Sequence, residues 1–130
     1  MRTFHWALAM VVVAFLIGTP ARSNDFAEIM VVTHIDIIPD FVDQAEPLLK
    51  QFVTDSRNEP GVKYFTLITW DPTTNHFQLI EVFQNVRAFN AHVSSEHTVE
   101  FRNALQPFIG APYDERLYRA VSFNPPRLKR

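Results

Sequence analysis

The sequence predicts one small α+β domain, and three observations carry that expectation. Four strand-like runs alternate with two helical stretches, the turn residues between them fit a hairpin and two helix stops, and 130 residues at 47% hydrophobic and 20% charged leave room for one core. The elements follow in chain order.

Residues 1–23 come first and read as a secretory signal peptide. Arg2 precedes an uncharged run from Trp6 to Gly18, which is shorter than the roughly 20 apolar residues a spanning helix needs. Ala21 and Ser23 then form a small-x-small cleavage site, with Thr19 and Ala21 as a second option. The expectation is an exported protein, periplasmic or extracellular, with no membrane span after cleavage. Loss of Arg2 and Arg22 takes the formal charge from −2 to −4, a poor match for nucleic acid.

Residues 24–122 form the domain. Ala27 to Ile38 is a strand with Val31, Thr33, Ile35 and Ile37 on one face and Met30, Val32, His34 and Asp36 on the other. Asp40 is a plausible N-cap for a helix whose apolar stripe runs through Phe41, Val42, Ala45, Leu48, Leu49, Phe52 and Val53. Pro47 lies inside that stripe, where it lacks an N–H and should kink the helix or delay its regular part. Asn58-Glu59-Pro60-Gly61 stops it.

Val62 to Trp70 and His76 to Gln84 are strands joined by Asp71-Pro72-Thr73-Thr74-Asn75, which is hairpin chemistry. Asn85 caps a short helix over Val86 to Val93, and Ser95 restarts it after a break at Ser94-Ser95. Gly110-Ala111-Pro112 ends the second piece, and Tyr113 to Ser122 is the last strand. Residues 123–130 are a basic Pro-Pro tail. The order β-α-β-β-α-β is the split βαβ, ferredoxin-like arrangement, a four-stranded antiparallel sheet with helices on one face. Tyr64, Ile68, Trp70, Ile80 and Val82 would then line an uncovered apolar face, which predicts a homodimer packed sheet to sheet.

With no cysteine there is no disulfide, thiolate nucleophile or Cys-ligated metal. His34, His76, His92 and His97 show neither i, i+4 nor HxH spacing, so no metal site is expected. Glycine-rich phosphate loops and a GxSxG serine elbow are also absent.

Ser56-Arg57-Asn58-Glu59-Pro60-Gly61-Val62-Lys63-Tyr64, Phe77 to Phe83, Ala88-Phe89-Asn90-Ala91-His92 and Ser95-Glu96-His97 together resemble the antibiotic biosynthesis monooxygenase (ABM) domain. The resemblance covers about residues 27–121 and implies a dimeric α+β barrel that oxidises a quinol or polycyclic phenol with O2 and no cofactor. Other members degrade haem. Those carry an Asn in strand one and a Trp on the second helix, where this chain has Thr33 and His92; both departures argue against haem oxygenation, while His92 or His97 could still ligate haem, so a haem-binding or haem-degrading protein is a lesser alternative. A non-catalytic exported dimer that binds a hydrophobic small molecule is the competing reading.

A cofactor-free oxygenase needs a base that turns a phenol into its electron-rich phenolate, and a dry aromatic pocket. His97, just after the helix break, is the candidate base. His92 precedes it by five residues, about 140° away on a continuous helix, so their convergence depends on the break. His92, Tyr64, Trp70, Phe83 and Tyr118 are the candidate residues for a small aromatic substrate. Glu81, mid-strand, is expected to pair with Arg116 or Arg119.

Overall fold

In this computed structural model, residues 27–119 are described; the signal-peptide reading, the end of the last strand and the basic tail lie outside them. Strands β1 (Ile29–Asp36), β2 (Val62–Thr69), β3 (His76–Phe83) and β4 (Asp114–Arg119) form one antiparallel sheet in the order β2-β3-β1-β4. Helices α1 (Val42–Ser56), α2 (Val86–Val93) and α3 (Glu96–Leu105) complete the β-α-β-β-α-β order, with the second helical stretch broken in two. The ferredoxin-like expectation holds.

The caps explain the break. Asn85 accepts from the backbone of Ala88 at the start of α2, and Ser95 accepts from that of Thr98 at the start of α3, so each helix has its own N-terminal partner. Asp40 does not cap α1. Pro39 opens a 3-10 turn, Pro39–Phe41, and the α-helix proper starts only at Val42 with no side-chain cap. Proline's fixed φ suits the first residues of such a turn, and this displaces the start of the helix. Pro47 sits in the second turn of α1, and the helix runs on through it.

Alternation on β1 is complete: Ile29, Val31, Thr33 and Ile35 are buried beneath the helices, and Met30, Val32, His34 and Asp36 are half-buried on the far side. The core joins Val31, Ile35, Phe65, Leu79 and Phe83 of the sheet to Ala45, Leu49, Phe52, Phe101 and Leu105 of the helices. Phe52 and Phe101 stack with ring centroids 3.9 Å apart, which ties α1 to α3. One turn needs glycine. Gly61 has φ +87°, and its carbonyl accepts from the N–H of Gln84 at 2.8 Å, bringing the end of α1 against α2.

On the uncovered face, register places Tyr118, Met30, Val82 and Tyr64 in one row and Val32, Ile80 and Thr66 in the next. No helix among the described residues is long and apolar enough to cross a membrane.

Candidate functional site

Inward-facing positions on β3 run Phe77, Leu79, Glu81, Phe83, so strand alternation alone drives a carboxyl group into the layer between sheet and helices. The Thr33 hydroxyl donates to Oε1 of Glu81 at 3.2 Å, while Oε2 is buried without a hydrogen-bond partner. Burial first, then the charge of Glu115, pushes the Glu81 carboxyl up from 4.5 to about 8, against a smaller pull from Thr33 and Arg102.

Nε2 of His92 stands 4.0 Å from that free oxygen. His92 ends α2 as a buried side chain among the rings of Phe83, Phe65 and Phe52, at 5.1, 5.4 and 5.5 Å. Burial holds its imidazole below the usual histidine value, and the bond to Glu59 opposes that shift. That bond joins His92 Nδ1 to Oε1 of Glu59 at 2.9 Å.

The same Glu59 oxygen lies 2.6 Å from Nε2 of His97, in the first turn of α3. Because the helix breaks at Ser94-Ser95, the two imidazole centroids come within 6.2 Å, as the sequence argument required. Glu59 itself is fixed in the turn after α1, where its N–H donates to the Ser56 carbonyl and its carbonyl accepts from Val62. The result is a chain of groups, His97, Glu59, His92, Glu81 and Thr33, that runs from a partly exposed imidazole (27% for the His97 side chain) to the buried sheet.

Beyond Glu81, Arg102 of α3 binds Glu115 of β4 at 3.1 and 3.3 Å and lies over the Tyr113 ring at 5.4 Å. With Leu105, Gln106 and Ile109 they line a cavity of about 160 Å³. Burial, then Glu81, pushes the Tyr113 hydroxyl well above its ordinary value, so it stays protonated. A shallower depression of about 250 Å³ along β2, lined by Arg57, Val62, Lys63, Tyr64 and Phe65, holds none of the chain of acid–base groups.

A family model described as Antibiotic biosynthesis monooxygenase matches residues 28–104. The chain belongs to the ABM family. Protein sll1783 of Synechocystis sp. is 25% identical over 109 residues, covering 81% of this chain and 74% of that one. Rv0793 from Mycobacterium tuberculosis has a similar structure, with TM-score 0.71 and 18% identity over 75% of this chain and 98% of that chain. PA3566 from Pseudomonas aeruginosa is comparable at TM-score 0.70 and 18% identity, covering 77% of this chain and 100% of that one. At such identities these two structures show the fold of the ABM family and nothing finer.

Within this ABM fold the residues singled out from the sequence separate. His97 and His92 meet on Glu59, and Phe83 packs on His92. Tyr64 and Tyr118, 47% and 44% exposed, stand on the opposite face of the sheet, and Trp70, 62% exposed, leaves the end of β2 against His76. The aromatics therefore do not gather into one pocket.

Glu81 forms no ion pair with Arg116 or Arg119 among the described residues. Arg116 stands opposite Val32 on the uncovered face and binds Asp114, whereas Glu81 points to the helices. In the sequence Glu59 belongs to a helix stop and to one of the segments that resemble the ABM domain, with no role of its own, and Arg102, Tyr113 and Glu115 carry no local signal.

Proposed function

We propose that this protein is a monooxygenase that oxidises a quinol or related phenol with O2, the substrate supplying the electrons. The 2.6 Å contact between His97 and Glu59 carries the reading. A carboxylate on Nε2 leaves Nδ1 of His97 to meet a substrate hydroxyl, and it stabilises the imidazolium formed when that proton is taken. The phenolate then gives electrons to O2, so that quinol and O2 become hydroxyquinone and water.

His92 acts here through Glu59 as a positioning residue, because it is buried and bonded to that carboxylate. Phe83 packs on His92 and Phe52 lies beside both imidazoles, so aromatic rings flank this part of the site.

The working unit in this proposal is an exported homodimer. Support for the dimer comes from the row of Tyr118, Met30, Val82 and Tyr64, with Ile68 also exposed, on a face that no helix among the described residues covers. Support for export comes from the composition of residues 1–23.

O2 uptake by EDTA-treated residues 24–130 with a reduced naphthoquinol tests the oxygenase, measured against buffer auto-oxidation and against His97→Ala. Uptake above background that the variant loses by about a hundredfold or more supports His97 as base. Uptake retained in the variant moves the base elsewhere. No uptake across several quinols replaces the oxygenase with a ligand-binding dimer.

A further inference from the structure

Glu59, His92 and His97 each offer one donor atom, and those three atoms lie within 4.8 Å of one another. They come from three elements: the turn after α1, the last turn of α2 and the first turn of α3. Helical spacing alone does not produce such a cluster. We propose that these three side chains form a binding site for a divalent first-row transition cation, of the zinc and iron(II) class.

The chemistry of the donors selects that class. Two imidazoles and one carboxylate suit borderline ions and leave coordination positions open, whereas calcium and magnesium take oxygen ligands. The spacing suits it as well. Glu59 Oε1 is now 2.6 Å from His97 Nε2 and 2.9 Å from His92 Nδ1, which are hydrogen-bond separations. Ligands around a tetrahedral ion stand about 3.3 Å apart, so entry of the ion asks the Glu59 carboxylate to withdraw by roughly half an ångström.

A second observation is the unmet valence at the site. Nε2 of His97 is buried and makes no hydrogen bond of acceptable angle, although the Glu59 oxygen is so near. With the ring proton on Nδ1, this nitrogen would present a lone pair to a metal.

The third observation lies one layer further in. Metal-bound histidines commonly donate their other N–H to a carboxylate, which fixes the tautomer and the ring. With Nδ1 of His92 on the ion, its Nε2–H faces Oε2 of Glu81 at 4.0 Å, the oxygen that otherwise has no partner. Thr33 holds the other oxygen of that carboxyl group. At 4.0 Å this pair is not yet a hydrogen bond, so the outer contact closes only if binding of the ion draws His92 Nε2 and the Glu81 carboxyl group together.

The other described histidines do not make an equivalent site. His76 pairs with Asp36 at 2.5 Å and His34 meets Gln78, on the uncovered face, and among the described residues no third donor joins either pair. The site stands whether or not the oxygenase reading holds, since it rests on donor geometry alone. An ion on Nε2 leaves the ring proton on Nδ1, the nitrogen assigned above to the substrate hydroxyl, so metal loading and proton abstraction by His97 exclude each other.

Cobalt(II) titration of EDTA-stripped protein tests the proposal, read by visible d–d absorption and by displacement with Zn²⁺. One equivalent of Co²⁺ with bands of four- or five-fold coordination is expected. His97→Ala and Glu59→Gln should each weaken binding by about a hundredfold, and Glu81→Gln by about tenfold through the outer shell. Absence of saturable bands overturns the proposal. So does unchanged affinity in His97→Ala and Glu59→Gln, with loss instead in His76→Ala, which puts the ion on the uncovered face. Circular dichroism confirms that each variant is folded, and His97 and Glu59, both partly exposed, are tolerant positions. O2 uptake is a separate readout, so failure here leaves the oxygenase test standing.

Discussion

The Thr33 hydroxyl reaches diagonally from β1 to Oε1 of Glu81 on β3 at 3.2 Å, across a register in which Thr33 faces Leu79 and Val31 faces Glu81. This is the one hydrogen bond to the buried carboxyl group among the described residues, with the more distant charge of Arg102 as a further favourable contribution, and the other oxygen has no partner. A neutral acid is the stable form under those conditions.

Stability should therefore fall on the alkaline side. Glu81 is raised from 4.5 to about 8, so between those values the folded state holds a proton that the unfolded chain has released. Its contribution is full below pH 4.5 and is lost as the pH climbs through about 8. In metal-free protein, Glu81→Gln keeps the bond to Thr33 and removes the titration. Its melting temperature should stay flat where that of the parent falls, with an advantage on the order of 5 kcal/mol at pH 9. Parallel pH profiles for the two proteins would contradict this account.

Gly61 sets the distance between the end of α1 and the start of α2. A Cβ at this position would stand 2.6 Å from the Cβ of Ala88, and the backbone is at φ +87°. Gly61→Ala should cost about 2 kcal/mol or more in urea unfolding, from both strain and overlap. Gly110→Ala is the control, with its nearest contact at 3.4 Å and no positive φ, and should cost under about 1 kcal/mol. Ala88 lies one helical turn before His92, so Gly61→Ala should also disturb the imidazole, visible as a shifted histidine ring resonance.

Ile68 is exposed on the uncovered face of β2, beside the apolar rows that run across the sheet. If two copies meet there, Ile68→Lys places two charges in the contact and should shift the sedimentation profile to monomer. A parent protein that sediments as monomer at all concentrations removes the dimer outright.

Local signals were well preserved in the sequence. The break at Ser94-Ser95, the caps at Asn85 and Ser95 and the positive φ at Gly61 each depend on a few neighbouring residues, and each is present in the fold. The start of α1 departs from the cap at Asp40 that the sequence suggests, because Pro39 and Asp40 compete for the same turn and the proline's fixed φ decides it. The aromatics were legible as strand residues, yet their chemistry did not say which of them share a face with the histidines.

What the sequence determined by itself is the order of elements, the alternating faces of β1, β2 and β3 and the resemblance to the ABM family. These follow from periodicity and short motifs. Only the tertiary structure decided that Glu59 binds both imidazoles and that Glu81 turns to Thr33 and His92, leaving Arg116 to Asp114. Glu59 and His92 are 33 residues apart and Thr33 and Glu81 are 48 apart. Contacts at that separation are set by how the helices seat on the sheet, which no local pattern encodes.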